Sequence, residues 1–292
     1  MAFWAGNFIV VKRALDDVPP VGFTMLRFLL ASVVLLLVLR WREGSVGLPR
    51  RDAVPIVLLG VIGFGAYQML WTTALDGISA GDSAVLIAST PVLTALLAVA
   101  ARADTLTPIR LIGSILSFAG VVVVIGAGQG LALDGSLGGY LLTLGAATCW
   151  AVYTAFGAPF LRRHSPLRTT TWATIAGTLA LLPLGTGQLL ASDGVAFGPE
   201  VALSIAYSGM LAAGLGNVLV FHGVHLLGPT RVTAFQTLVP ALAVVLAFLV
   251  LAEPIRAGQI VGGMVIVTGV LLTRLDALSA RTGLWRLSSI RR

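Results

Sequence analysis

The sequence predicts an all-α membrane protein of ten transmembrane helices, built as two inverted five-helix repeats with both termini in the cytoplasm. Composition is the first ground. The chain is 57% hydrophobic and 11% charged, where a soluble domain carries roughly 25% charged residues, and its mean hydropathy is +0.97. The apolar runs are continuous rather than alternating, so they read as helices and not as the strands of a transmembrane barrel. Internal repetition is the second ground. Trp4-Ala5-Gly6-Asn7-Phe8 returns loosely as Trp150-Ala151-Val152-Tyr153-Thr154, and Pro20 returns as Pro166, both at an offset of 146. From Ala74 to Val121 the offset is 149, a three-residue loop insertion later. It pairs Pro91 with Pro240, Asp104 with Glu253, Gly113 with Gly262 and Gly120 with Gly269. An odd number of spans per copy turns the second copy upside down, the usual construction of a secondary transporter. Charge is the third ground. With the N-terminus inside, fifteen Lys and Arg fall in cytoplasmic loops and tail, three (Lys12, Arg13, Arg256) on the other side, and Arg27 within a span. That bias orients the helices. The net charge of +7 therefore records topology and excludes a nucleic-acid partner.

The elements follow in order. The first span, 2–18, starts almost at Met1 and shows neither a charged n-region nor a cleavage site. It is short, so either residues precede Met1 or Lys12 and Arg13 sit slightly within the membrane. The turn Asp16-Asp17-Val18-Pro19-Pro20 closes it. Spans at 20–39, 53–75, 82–100 and 109–127 complete the first repeat, residues 1–130, each long enough to cross a bilayer. The second repeat, 131–276, holds spans at 136–160, 167–190, 199–222, 230–250 and 257–274. Residues 277–292 form a basic cytoplasmic tail, mildly amphipathic from Thr282 onward, which suits the inner leaflet. Glycines inside spans imply close helix packing. Gly65 and Gly214, matched across the repeat, are the candidate hinges. Pro91 and Pro240 each remove a backbone hydrogen bond at matched mid-span positions, giving gating bends or simple curvature. The lone Cys149 excludes a disulfide framework.

Polar residues deep in spans are costly and are functional candidates by default. The first helix offers Trp4 and Asn7 on one face, the third Tyr67, Gln68 and Trp71, the sixth Trp150 and Tyr153, the eighth Asn217 and His222, and the ninth Gln236. Gln68 and Asn217 coincide at the repeat offset, one amide from each half. These side chains are uncharged hydrogen-bonders interleaved with rings, a lining that suits a small zwitterion with an apolar body or a flat aromatic cation. Interfacial anchoring or helix packing is the plainer account of the tryptophans. Arg27 and Lys12 are read as gating or structural cations, with a substrate contact as the alternative for each. Glu253, with the other acids, falls at a span end, where caps and gate pairs account for it. His222 and His225 have chelating spacing but no acidic or cysteine partner, so no metal site is expected.

Several of these segments resemble a known family. Asn7-Phe8-Ile9-Val10-Val11-Lys12 is similar to its first helix, and Leu26-Arg27-Phe28-Leu29-Leu30-Ala31 to its second. Ala80-Gly81-Asp82-Ser83-Ala84-Val85-Leu86 running into Pro91 is similar to its third-to-fourth region. Glu253-Pro254 with Gln259, Gly262 and Gly269 is similar to its closing motif. The chain thus resembles the drug/metabolite transporter (DMT) superfamily, in its EamA-domain group of ten-helix exporters, and most the YddG-type amino-acid exporters. The resemblance spans both repeats. It implies alternating access in the bacterial inner membrane, with helices 1–4 and 6–9 around a central cavity. It departs in one place, since Ala173 stands opposite Arg27 and a symmetric pair of arginines is absent.

The expected function is export of amino acids, aromatic ones included, and of aromatic cationic drugs. The partners are that small-molecule substrate and membrane lipid, and one chain encloses its own cavity as a monomer. A sugar-phosphate or nucleotide-sugar carrier is the rival within the superfamily, and would need several cavity cations. An intramembrane or lipid-handling enzyme would need a catalytic pair inside the bundle. The one lysine lies outside any Gly-rich loop, so there is no P-loop, and neither HExxH nor Gly-x-Ser-x-Gly occurs. No cofactor and no enzyme activity are expected.

Overall fold

The structure, a computed structural model, describes residues 1–101, 107–127, 136–161, 163–192, 197–219 and 238–282. Ten helical elements run through them: α1 (Ala2–Ala14), α2 (Pro20–Glu43), α3 (Arg50–Gly77), α4 (Ala80–Ile87 and Thr90–Ala100), α5 (Pro108–Ala127), α6 (Ser136–Leu161), α7 (Pro166–Ala191), α8 (Pro199–Leu219), α9 (Leu238–Leu251) and α10 (Ala257–Thr282). Seven of these, α2 to α8, are long and apolar enough to cross a membrane, and α9 and the segment Ala257–Thr273 are shorter apolar helices. Large apolar side chains such as Leu37, Val122, Leu203 and Leu249 are exposed on the outside, which is how a bundle surrounded by lipid chains presents itself.

Local chemistry sets the helix ends. Pro20 occupies the first turn of α2, where no N–H is needed. Its far end is closed by Gly44 in the left-handed region (φ 67°), whose N–H returns to the Arg40 carbonyl. Ser79 and Ser165 cap α4 and α7 by accepting from the N–H groups of Asp82 and Arg168.

α4 is broken at residues 88–89, two to three residues before Pro91. Pro91 cannot donate to the Ile87 carbonyl. The Thr90 hydroxyl does so instead, at 2.6 Å, and Ser89 serves Leu86 at 2.7 Å. Thr90→Val should therefore leave a half-buried carbonyl without its donor and cost about 1 kcal/mol. A melting point in detergent unchanged from wild type would contradict this. Pro240 lies in the first turn of the described part of α9; what precedes Leu238 falls outside the described residues.

Two features are absent from any hydropathy plot. α3 contains a π segment at Val61–Ala66 and α8 one at Tyr207–Leu215. Shifted by 149, the first falls inside the second. Glycines beside them allow backbone-to-backbone contact. A Cβ on Gly209 would lie 2.6 Å from the Arg27 carbonyl oxygen, and one on Gly60 would overlap the Ala173 carbonyl. Gly60 and Gly209 correspond at 149, and Arg27 and Ala173 at 146, so one contact is a copy of the other.

The helix neighbours repeat in the same way. α5 packs on α10 and α2 on α7; α3 packs on α6 and α7, as α8 does on α1 and α2; α4 packs on α6 as α9 does on α1. The side chains of Ser32 and Thr178, exactly one offset of 146 apart, hydrogen-bond each other at 2.9 Å.

Candidate functional site

Arg27 is the centre of the polar interior. Seven residues into α2, it is 1% exposed. Its Nη1 donates to the Ser208 hydroxyl of α8 at 2.8 Å and its Nη2 to the Gln68 amide oxygen of α3 at 2.5 Å. Ser208 passes the chain on by donating to Asn7 Oδ1 of α1 at 2.6 Å. Three rings face the guanidinium, with centroids at 5.7 Å (Phe23), 5.2 Å (Phe28) and 5.3 Å (Trp71).

Magnitudes show how this cation is tolerated. Burying an ion costs several kcal/mol even after relaxation. Two charge-assisted hydrogen bonds return about 1.5–3 kcal/mol each, and desolvated cation–π contacts about 2 kcal/mol. The balance is close. Two donors nevertheless stay unused and buried, Arg27 Nε and Trp71 Nε1.

A second layer of hydroxyls supports the first. Thr72 donates to the Gln68 carbonyl at 2.6 Å, so in its 2.6 Å contact with Thr24 it is the acceptor. Trp71 stands edge-on to Phe8 at 5.2 Å. On the other side of Gln68 lies an aromatic group. Tyr67 packs on Trp150 at 5.4 Å, Trp150 on Tyr153 at 5.3 Å, and both Trp150 and Tyr153 on Phe64 at 5.6 and 5.1 Å. Phe28 joins it to Arg27 through a 6.2 Å contact with Phe64. The interior thus offers one guanidinium, neutral amides and hydroxyls, and ring faces, drawn from α1, α2, α3, α6 and α8. Among the described residues no group of three His, Cys, Asp or Glu side chains is placed to hold a metal ion.

A sequence profile of the EamA-like transporter family matches residues 1–126 and again 137–275. The chain belongs to that family. Similar proteins along nearly the whole length include a "Probable terminal-alkyne amino-acid exporter" of Streptantibioticus cattleyicolor, 32% identical over 282 residues, covering 95% of this chain and 92% of that protein. The "Uncharacterized transporter YyaM" of Bacillus subtilis is 28% identical over 274 residues, with 92% and 89% covered. The "Probable amino-acid metabolite efflux pump" of Salmonella typhimurium is 27% identical over 292 residues, with 92% and 90% covered. A solved crystal structure shares the fold, with a TM-score of 0.67 at 21% identity, over 95% of this chain and 94% of the other.

The other candidate residues of this EamA-family chain are placed as follows. The Trp4 indole donates to the Ala212 carbonyl inside the α8 π segment at 3.0 Å, a carbonyl of the kind a π turn leaves available. Asn217 donates to Ala213, in its own helix, at 2.7 Å. Gln68 and Asn217 therefore match in sequence but not in partner, and the reason is visible: Ala173 stands where the second half would need an arginine. His222 and Gln236, like His225, lie outside the described residues.

Lys12 and Glu253 belong to a polar clasp at one end of the bundle. Lys12 Nζ donates to the Leu75 and Asp76 carbonyls at 2.6 and 3.1 Å, at the C-terminus of α3. The Glu253 carboxylate accepts from the N–H groups of Ala80 and Gly81 at 2.9 and 3.2 Å, at the N-terminus of α4, the favourable helix end for an anion. Next to it, fully buried Asp82 accepts from Gln259 Nε2 (2.6 Å), the Tyr140 hydroxyl (2.9 Å) and Arg256 Nη1 (3.4 Å). The opposite end has its own clasp. Asp52 meets Arg163 at 2.9 Å and His164 at 2.7 Å, and Glu43 meets Arg168 at 2.9 Å and also accepts from Ser165.

Sequence reading missed Ser208, Phe23 and the buried role of Asp82. Ser208 is one hydroxyl in an apolar run. The only signal for it was that a small polar residue fell in the same span as Asn217.

Proposed function

We propose that this protein exports amino acids, aromatic ones among them, across the bacterial inner membrane by alternating access. In this reading residues 1–130 and 131–276 are inverted repeats with cytoplasmic termini, and they rock about the Arg27 interior as a monomer. The observation that carries it is the Arg27–Ser208–Asn7 chain, flanked by Gln68 and Trp71. It joins α1, α2 and α3 to α8, across the junction of the two halves, where inverted-repeat transporters bind substrate. The paired π segments, the copied glycine contacts and the antiparallel α5–α10 crossing support the inverted arrangement. Two similar proteins named for amino-acid export support the substrate class. The single guanidinium speaks against a bare cationic drug, which it would repel, and is too few cations for a sugar phosphate.

The test is flux in proteoliposomes with labelled phenylalanine, threonine and a sugar phosphate, with and without a pH gradient. Saturable amino-acid flux is expected, reduced at least about tenfold by Gln68→Ala or Trp71→Ala, the loss of one good hydrogen-bonding or ring contact. Sugar-phosphate flux alone refutes the substrate class. Amino-acid flux untouched by both variants refutes the location of the site.

A further inference from the structure

Among the described residues, three arginines at the bundle ends meet carboxylates: Arg163 meets Asp52, Arg168 meets Glu43 and Arg256 meets Asp82. Arg27, the most buried of these cations, has only the neutral oxygens of Gln68 and Ser208. A guanidinium carries five N–H donors, and here two are used. The Nε–H is buried with no acceptor, and so is the indole N–H of Trp71, whose ring faces the same guanidinium at 5.3 Å. Two buried donors without a protein acceptor, beside a cation without a protein carboxylate, suit an anion with two acceptor oxygens. A carboxylate has that shape, and takes the edge of an arginine in a bidentate pair.

We propose that Arg27 is the carboxylate anchor of the transport site, with the Trp71 indole N–H as its second donor, so that the cargo is a molecule carrying a carboxylate next to an apolar body. This rests on the amino-acid reading above and adds the group that is recognised. The groups around Arg27 suit such a molecule. Phe23, Phe28 and Trp71 line the cation with ring faces, and the half-buried Gln68 and Asn7 bring amide oxygens that an ammonium group can use. Ala173 at the repeat-related position means that there is one anchor and not two, so a substrate is held by one end in a fixed orientation. An amine without a carboxylate meets an uncompensated positive charge and is rejected.

Binding to the purified protein in detergent, read as saturable thermal stabilisation, separates the alternatives. The probes are phenylalanine, 3-phenylpropionate (carboxylate without ammonium) and phenethylamine (ammonium without carboxylate). The expected result is binding of both carboxylates and not of phenethylamine, weakened at least about tenfold by Arg27→Gln and recovered in part by Arg27→Lys, as loss of a charge-assisted pair requires. Trp71→Phe keeps an aromatic face and removes the indole N–H together with the five-membered ring. It serves if Arg27→Gln does not fold, and should weaken both carboxylates about threefold or more. Phenethylamine binding as tightly as phenylalanine overturns the anchor. So does a folded Arg27→Gln or Trp71→Phe protein with wild-type affinity for both carboxylates, or failure of either carboxylate to bind wild type. Flux keeps the two readings apart. Arg27-dependent carboxylate binding without amino-acid flux sinks the exporter reading and leaves the anchor. Saturable phenylalanine flux with KM unchanged in both variants does the reverse.

Discussion

Gly120→Val will destabilise this protein by about 3 kcal/mol, while Gly126→Ala, six residues further along the same helix, will stabilise it slightly. The signs differ because the surroundings do. A Cβ on Gly120 would sit 2.6 Å from the Gly262 carbonyl oxygen and 2.8 Å from the Ile266 backbone nitrogen. A Cβ on Gly113 would sit 2.7 Å from the Gly269 carbonyl oxygen. These are backbone atoms of α10, which no rotamer change can move aside, so the two helices must separate along the whole contact. Overpacking of this kind costs about 1–3 kcal/mol for one added methyl group and more for valine. Replacing a helical glycine returns at most about 1 kcal/mol of propensity, so the clash wins. At Gly126 and Gly138 an added Cβ meets nothing within 4 Å, and only the propensity gain remains. Melting of the detergent-solubilised variants reads both signs. Gly120→Val melting with wild type would mean that α5 and α10 are not in backbone contact.

That crossing also shows what could be read from the sequence. Gly113 and Gly120 pair with Gly262 and Gly269 by repeat arithmetic, yet in space Gly113 touches Gly269 and Gly120 touches Gly262. An antiparallel pair related by a two-fold axis exchanges partners in this way, so the repeat contained the contact once the axis was supplied. Span positions were legible because hydropathy is a local property: 109–127 became Pro108–Ala127 and 167–190 became Pro166–Ala191. The second span was read to residue 39, but α2 continues to Glu43. Arg40 and Arg42 end the apolar run without ending the helix, since arginine is a good helix former and its charge suits a C-terminus. The π segments were not legible, because Val61–Ala66 and Tyr207–Leu215 are as apolar as their flanks. Arg27 was conspicuous as an intramembrane charge, whereas its partners come from α1, α3 and α8, and no spacing within one helix reports them. Asp82 sits three residues after Ser79 at a helix start, where an acid usually interacts with the helix end. Ser79 takes the cap, and Asp82 turns inward to Gln259 instead.

Asp82→Ala is expected to cost about 3–5 kcal/mol, the range for removing one member of a buried charged network, and to open one end of the bundle. The carboxylate is the shared acceptor for Gln259 and Arg256 from the α9–α10 region and for Tyr140 of α6, so it ties α4 to both. Asp82→Asn keeps one acceptor oxygen and should cost less than alanine, since it puts an NH2 group against donors and loses only part of the network. Glu253→Gln should be milder still, because its carboxylate faces two backbone N–H groups at the half-exposed rim. The opposite end holds a separate set, Asp52 and Glu43 with Arg163, His164 and Arg168. α3 starts in one clasp and ends at the other, so weakening one leaves the other intact. If the chain works by the alternating access proposed above, such a change shifts the population toward the state in which the weakened end is open. Stability and accessibility can be read separately, because Cys149 is the one cysteine. In a Cys149→Ser, Thr72→Cys background, position 72 is buried beneath the Asp82 end. Asp82→Ala should raise its rate of maleimide labelling, while Asp52→Ala, at the far clasp, should not. Equal labelling in both variants would mean that the Asp82 network holds the fold together and does not govern access.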